Sequence, residues 1–433
     1  MRVRPPLASD YRESCYWWDD ADLPAGIGEG SVPATADVVV IGSGYTGISA
    51  ALDLAREGRH VVVLEERTVG WGASSRNGGM VSPGTKQSLS WLRDRYGARG
   101  EALYRSTVEG FRYLEELMAR EGIECDYERS GRIHLAHRPA KVKDLEEGIA
   151  IQRGRLGLAA RFVPRERLSE EIGSAAFHGG AVLDEAGGLH PAKLMAGLAR
   201  AAMAAGAAVH EHTPALGVQR DGAGMTVRTA RGTIRARDVL LATNGYTDSG
   251  HFWTLRRRLV IIGSYIIATE PIEASLAKEI SPQRRMFSDT KHFLYYWRLS
   301  PDGTRILFGG RASLAPTTVS RARDWLYRGM ARVHPQLAGV RVERAWGGNV
   351  ALTMDLAPRL GRQDGLTFCL GYSGRGVVPA VWLGHVAARW ICGEEPPTYA
   401  GIPFRRVPFP RLLPLTLPLA GAYYKARDVI GPG

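Results

Sequence analysis

The stretch Asp37-Val-Val-Val-Ile41-Gly42-Ser43-Gly44-Tyr45-Thr46-Gly47 decides the fold. Its first five residues form a continuous, mostly β-branched run typical of a parallel strand buried on both faces. Tyr45 to Glu57 reads as a helix with small or apolar residues on one face and Gly58 as its stop. His60 to Leu64 is a second buried strand. Strand, helix and strand in about thirty residues make a βαβ unit. The glycines then have separate tasks. Gly42 permits a tight turn, Gly44 lets backbone approach a pyrophosphate, and Gly47 lets helix and strand pack closely. The helix amino terminus, from Tyr45 and Thr46, offers unpaired N–H groups to phosphate. An acid about twenty residues on should accept from a ribose hydroxyl. Glu65, at the end of the second strand, fills that place, while Glu66 and Arg67 follow it and Glu66 faces the other way.

Later loops choose between dinucleotides. After Glu65 comes Gly70-Trp-Gly-Ala-Ser-Ser-Arg-Asn-Gly-Gly79, polar and glycine-rich where a nicotinamide-binding domain would enter a helix. Ala242-Thr-Asn-Gly-Tyr246 and Gly371-Tyr-Ser-Gly-Arg-Gly376 also sit at strand ends. Three such loops suit FAD, an extended cofactor lying across a sheet, better than NAD.

The fold class expected is α/β (α+β): a Rossmann-type FAD-binding domain interleaved with a mixed β-sheet substrate domain. The domain texture recurs over 36–90, 189–250 and 345–398. The excursions 91–188 and 251–344 hold long polar helices and strand-like pieces such as Tyr295-Tyr-Trp-Arg-Leu299. Residues 1–35 form a lead segment and 399–433 a proline-rich arm. Val407 to Tyr424 carries Arg411 and prolines 408, 410, 414 and 418, too many lost backbone donors for a spanning helix. It reads as an arm along the domain or a partner, with room for weak interfacial contact.

The 433 residues carry 56 basic and 44 acidic side chains, a formal charge of +12, and 49 of the basic residues are Arg against 7 Lys. This Arg is dispersed, without interleaved aromatics, so it speaks to solubility and steering rather than to a nucleic-acid partner. Cys15, Cys125, Cys369 and Cys392 are far apart and form no CxxC, so neither a metal site nor a disulfide framework is expected, and a reducing compartment fits. MRVRPPLASDYRES has no apolar h-region. The location expected is cytoplasmic.

With these residues in view, the chain resembles FAD-dependent oxidoreductases of the D-amino-acid-oxidase (DAO) superfamily, especially γ-glutamylputrescine oxidase-like members. The matching pieces are DVVVIGSGYTGISAALDLA, VVVLEERTVGWGASSRNGG, LLATNGYT, GSYIIATEP, WGGNVALTMDLAPRLG and GYSGRGVV. The resemblance implies that Gly42, Gly44 and Gly47 hold the FAD pyrophosphate and Glu65 the ribose. It places Ala73 and Ser74 beside the pyrophosphate and Asn77, Gly78 and Gly79 along the isoalloxazine, with Glu66, Arg67, Gly72 and Arg76 also counted among the cofactor-binding residues. Ala215 is implied to meet the adenine, and Ala242, Thr243, Gly245 and Gly348 to line the cofactor. Ser373, Gly374, Arg375, Gly376 and Val377 are implied to cap the flavin pyrimidine, where Arg375 can stabilise the reduced ring. Relatives that tether flavin use a His in the SSRNGG loop or a Cys in the WGGNVALTMD stretch; neither is present, so non-covalent FAD is expected. Sarcosine-oxidising relatives carry a Lys in the strand resembling Arg305–Arg311 that speeds reaction with oxygen, and RILFGGR has none.

The resemblance implies transfer of a hydride from the α-carbon of a small-molecule amine to flavin N5, then imine hydrolysis, with O2 or another electron acceptor taking the electrons. Asn77, Tyr296, Arg311 and Arg375 are the expected catalytic residues. His292, Tyr295, Arg298, Asn349 and Thr353 are further substrate-facing candidates. Strand alternation groups Tyr296 with Arg298 and Tyr295 with Trp297, and Tyr296 is taken to face the cavity. An Arg there suits a substrate carboxylate, compatible with γ-glutamylputrescine, another polyamine-derived amine or an N-methyl amino acid. A dehydrogenase acting on sarcosine or D-amino acids is the alternative; a nucleic-acid-binding protein without activity is the remote one. Oligomeric state is not legible.

Overall fold

Thr35–Ile41 runs parallel to Val61–Leu64 on one side and to Gly232–Leu241 on the other. Its valines alternate between two cores. Val38 and Val40 meet the helix Tyr45–Arg56, while Val39 and Ile41 pack with Val227, Ile234 and Phe368 on the opposite face. Burial on both faces is why the strand is apolar at every position from Val38 to Ile41. Ala208–His210 and Leu366–Leu370 extend the parallel part of this eight-stranded sheet. The helices Tyr45–Arg56 and Val377–Ile391 pack together and are cross-linked by polar bonds. Ser49 Oγ donates to the Val381 carbonyl at 2.8 Å, and Thr46 Oγ1 lies 2.6 Å from Tyr372 Oη in the loop that leads into the second helix.

The computed structural model describes residues 5–430 except 249, 312, 313 and 315; residues 1–4 of the lead segment and 431–433 of the arm lie outside it. A second, nine-stranded mixed sheet has the order Leu7–Arg12, Val342–Leu352, Val260–Thr269, Ile306–Gly310, Tyr295–Leu299, Met286–Asp289, Arg132–Leu135, Gly179–Leu183, Ala160–Pro164. One face carries Phe287, Trp297 and Phe308, stacked in series and packed against the helix Val319–Val333. The other face looks toward the first sheet.

Three expectations need correction. Residue 345 is not a seam between sheets: Val342–Leu352 pairs with Val260–Thr269 along its whole length, so this strand belongs to the nine-stranded sheet. The lead segment is not separate either, because Leu7–Arg12 adds a strand beside it. The proline-rich arm is helical over Leu413–Ile430. Pro414 falls in the first turn, where the missing N–H would have had no partner, and only Pro418 is interior.

Trp297 is fully buried between Phe287, Phe308 and Phe177. Trp297→Ala is expected to lower unfolding stability by about 3–5 kcal/mol, measured by urea denaturation of the flavin-loaded protein.

Candidate functional site

The strands of the first sheet end in register. Ile41 stands opposite Leu64 and Leu241, and Leu241 opposite Phe368. The loops that follow therefore open on one carboxyl edge, the usual ligand side of a doubly wound sheet. Gly42 turns the chain at φ +101°, a conformation that favours glycine. A Cβ on Gly44 would sit 2.9 Å from Ser74 Oγ, and one on Gly47 would collide with the Gly42 carbonyl oxygen. Gly47 lies behind the bend, at the contact between helix and strand.

Glu65 holds this bend together. Its Oε2 accepts from Ser43 N at 3.0 Å and Ser43 Oγ at 2.6 Å, and its Oε1 accepts from Arg67 N at 2.9 Å. Three donors on a carboxylate with about four acceptor positions leave one for a ribose hydroxyl. Glu66 and Arg67 are exposed at the rim. Ser74 Oγ accepts from Tyr45 N at 2.9 Å, joining the second glycine loop to the first.

One elongated cavity of about 710 Å³ runs along this edge and between the sheets. Gly42, Gly44, Tyr45, Thr46, Glu65, Glu66, Arg67, Gly72, Ala73, Ser74, Arg76, Asn77, Gly78, Ala215, Ala242, Thr243, Gly348 and Ser373 to Val377 all line it. Gly79 and Gly245 stand behind the wall, Gly79 against the Leu189 carbonyl and Gly245 against Asn349. The Arg76 guanidinium is an internal strut: it donates to the carbonyls of Trp71, Gly72 and Gly347 and lies 4.7 Å from the Trp18 and Trp71 rings.

Between the sheets the lining turns cationic. Lys86, Arg132, Arg311 and Arg375 line the cavity, and none forms an ion pair among the described residues. Arg132 donates only a long 3.4 Å bond to Ser82 Oγ. Burial, reinforced by Arg311, Arg375 and Arg132, pushes the Lys86 ammonium down to about 7, against a weaker opposing pull from Asp289. Asp289 is itself committed to Lys291 at 3.2 Å. Burial also lowers Arg311 and Arg375, and lowers His134 strongly, whose Nδ1 lies 2.9 Å from Ser288 Oγ. Other buried cations of the described residues are compensated: Arg359 has Asp355, Arg285 has Glu171 and Arg344 has Asp19, while Arg298 donates to three backbone carbonyls. The cavity cations lack the counter-charge that such burial ordinarily requires.

Tyr296 lines this end, with its hydroxyl 3.1 Å from Ser264 Oγ and its ring against Gly78 and Gly309. Asn349 lines it as well. The other candidates do not reach the cavity. Tyr295 is in the core of the nine-stranded sheet, and Arg298 spends its guanidinium on the carbonyls of Leu189, Gly79 and Leu299. Thr353 donates to Asp355 and the Ala357 carbonyl, and His292 faces Tyr424. Asn77 reaches the wall, but its amide donates to the Ala73 and Ser74 carbonyls and accepts from Gly79 N, so it shapes the loop as a positioning residue. Lys86, Arg132 and His134 were missed. Alternation in Arg132-Ile-His-Leu135 does put Arg132 and His134 on one face, opposite the core residues Ile133 and Leu135; Lys86, in a loop, leaves no such signal.

The profile of the family described as FAD dependent oxidoreductase (DAO) matches residues 37–390. The chain belongs to this family. It is 32% identical to gamma-glutamylputrescine oxidoreductase of Escherichia coli (strain K12) over 92% of its own length and 94% of that protein's. It is equally 32% identical to the probable oxidoreductase OrdL of Haemophilus influenzae, covering 83% and 84%. In fold it is similar to glycine oxidase from Geobacillus kaustophilus, with a TM-score of 0.70 over 84% of this chain and 96% of that one at 22% identity. The flavoprotein is thus an FAD-dependent oxidoreductase acting on amine or amino-acid donors. Its residues fit FAD on geometry alone, because Gly42 and Gly44 form a cradle that a Cβ would fill and Glu65 keeps a free acceptor position. Among the described residues no cluster of His, Cys, Asp or Glu could hold a metal ion, and no helix is long and apolar enough to cross a membrane.

Gly44→Val is expected to purify without the yellow flavin absorbance, since the added carbons occupy the cradle and press on Ser74; retention of parental flavin stoichiometry contradicts that role. Lys86 gives a pH signature. Its folded value lies below that of a free lysine, so it loses its proton as pH rises through about 7, whereas a bound anion favours the charged form. Binding of a small carboxylate such as acetate, followed by flavin difference absorbance, is expected to weaken by up to about tenfold per pH unit above that point. Lys86→Met is expected to flatten the profile.

Proposed function

We propose that the flavoprotein oxidises an amine carrying at least one carboxylate, held with its anionic group among Lys86, Arg132 and Arg311. The observation behind this reading is the uncompensated positive charge in the cavity, which repels a free diamine and attracts an amino-acid-like head. Gamma-glutamylputrescine is one such amine, with the carboxylate on its glutamyl end, and the similarity to the E. coli oxidoreductase favours it within the class. N-methyl amino acids and D-amino acids form the second reading.

FAD, bound without a covalent tether, supplies an acceptor for the hydride that leaves the carbon beside the amine nitrogen. Tyr296 and Ile266 line the cavity together with Lys86, Arg132 and Arg311 and would bound the carbon chain of the amine. The cationic surroundings lower the pKa of a bound ammonium, so the amine is presented neutral without a dedicated base. Loss of the hydride leaves an imine, which water hydrolyses to a carbonyl compound and a free amine. Arg375, at the amino end of Val377–Ile391, would favour negative charge on the reduced ring. Dioxygen is the acceptor we assign: it takes the electron pair and two protons and leaves as hydrogen peroxide. Lys86 supplies the cavity with an ammonium group that the strand Ile306–Gly310 lacks.

Anaerobic flavin bleaching tests the reading. γ-Glutamylputrescine, N-methyl amino acids and D-amino acids are to be compared with putrescine. At least one carboxylate-bearing amine should bleach the flavin at far lower concentration than putrescine, and equal or better bleaching by putrescine rejects the charge argument. Arg311→Met should raise KM for the preferred amine by about 10- to 100-fold, the loss of a charge-assisted hydrogen bond. One hydrogen peroxide per carbonyl product is expected in air.

A further inference from the structure

The helix Leu413–Ile430 presents an apolar face to solvent. Six of the eleven exposed large apolar side chains among the described residues lie between 409 and 424. Phe409 is 77% exposed, Leu415 69%, Leu419 72% and Tyr423 58%. Leu412, Leu415, Leu419 and Tyr423 recur at three- and four-residue steps, so they form a single stripe. A patch of this kind on a chain with a charge of +12 is a docking surface rather than scattered exposure.

The inner face shows that the helix is seated and not adrift. Gly421 is buried beside Phe293 and Leu314, and the Asp428 carboxylate accepts from His292 N at 2.8 Å and Phe293 N at 3.0 Å. With the inner face used, the outward stripe is left exposed to solvent among the described residues, Tyr423 touching only Tyr424 and Arg427 of its own helix.

Charge identifies the occupant. Exposed Arg405, Arg406 and Arg411 lie before the stripe, and Lys425 and Arg427 at its far end. The single acid between 399 and 430 is Asp428, already committed to the two backbone donors. A second copy docked by a two-fold axis would bring basic ends together, in either helix direction, with no acid to offset them. Anionic lipid headgroups match both parts of the surface at once. The helix is about 27 Å long, and its interior Pro418 argues for lying in the interface rather than crossing it.

We propose that Leu413–Ile430, with Phe409 and the flanking basic residues, is an in-plane anchor that binds the flavoprotein to an anionic membrane surface. The docking loop His292–Leu294 ends in Leu294, which lines the cavity. Lipid binding therefore sets one wall of the site next to the bilayer.

Flotation of the flavin-loaded protein with vesicles tests this without any substrate. It should float with phosphatidylcholine vesicles containing phosphatidylglycerol, bind far less to phosphatidylcholine alone, and be released by high salt. Leu415→Glu/Leu419→Glu should stay in the dense fraction while keeping its flavin and its activity on the amine. Reversing Arg405 or Arg406 should cost at least about fivefold in vesicle partitioning per basic residue lost. No flotation of the parent with anionic vesicles overturns the proposal. So does a parental dimer that Leu415→Glu/Leu419→Glu converts to monomer, which would assign the stripe to a second copy.

Discussion

Everything at the cofactor edge depends on Glu65 binding Ser43 through both its backbone N–H and its hydroxyl. That clasp holds the bend after the first strand against the end of the second, so that Gly42 and Gly44 present backbone and not side chains to the cavity. Ser74, bonded to Tyr45 N, extends the same constraint to the loop that carries Asn77 and Gly78. A carboxylate usually assigned only to a ribose is here also a structural bracket, and its loss would loosen protein and cofactor together.

The second organising fact is the grouping of unpaired positive charge at one end of the cavity, the other end mixing both signs through Glu65, Glu66, Arg67 and Arg76. Glu65 and Glu66 border the end formed by the first bend, whereas Lys86, Arg132, Arg311 and Arg375 enter from the second sheet and the loops facing it. Grouping unpaired cations in a low-dielectric space costs stability, as the lowered Lys86 value records. Elsewhere buried arginines are given acids, as at Arg285, Arg344 and Arg359, or a full set of carbonyl acceptors, as at Arg298. An arrangement unfavourable without a ligand and favourable with an anionic one is a sign of binding rather than of folding.

The nucleotide edge was legible because each requirement there is local. A turn, a close approach, a helix start and an acid all leave their residue types within thirty positions of one another. The side chains lining the cavity between the sheets were legible only where a strand period reached them: alternation separates Tyr296 from Tyr295 and Trp297, and would equally have paired Arg132 with His134. Lys86 was not, since a loop has no period and its place depends on contacts with distant segments. Asn77 was assigned to chemistry when its amide is consumed by its own turn, a distinction that composition does not carry. The C-terminal helix escaped because four prolines outweigh an apolar stripe in any reading by propensity, although only Pro418 stands where a proline disrupts a helix.

The eight-stranded sheet joins strands far apart along the chain: Thr35–Ile41 is made well before Leu366–Leu370 and the Gly371–Gly376 loop. On a ribosome the two are separated by tens of seconds at ordinary elongation rates. During that interval the apolar strand Thr35–Ile41 lacks part of its covering, and the cavity has one wall missing. A nascent chain is therefore unable to complete the flavin pocket until the Gly371–Gly376 loop has emerged.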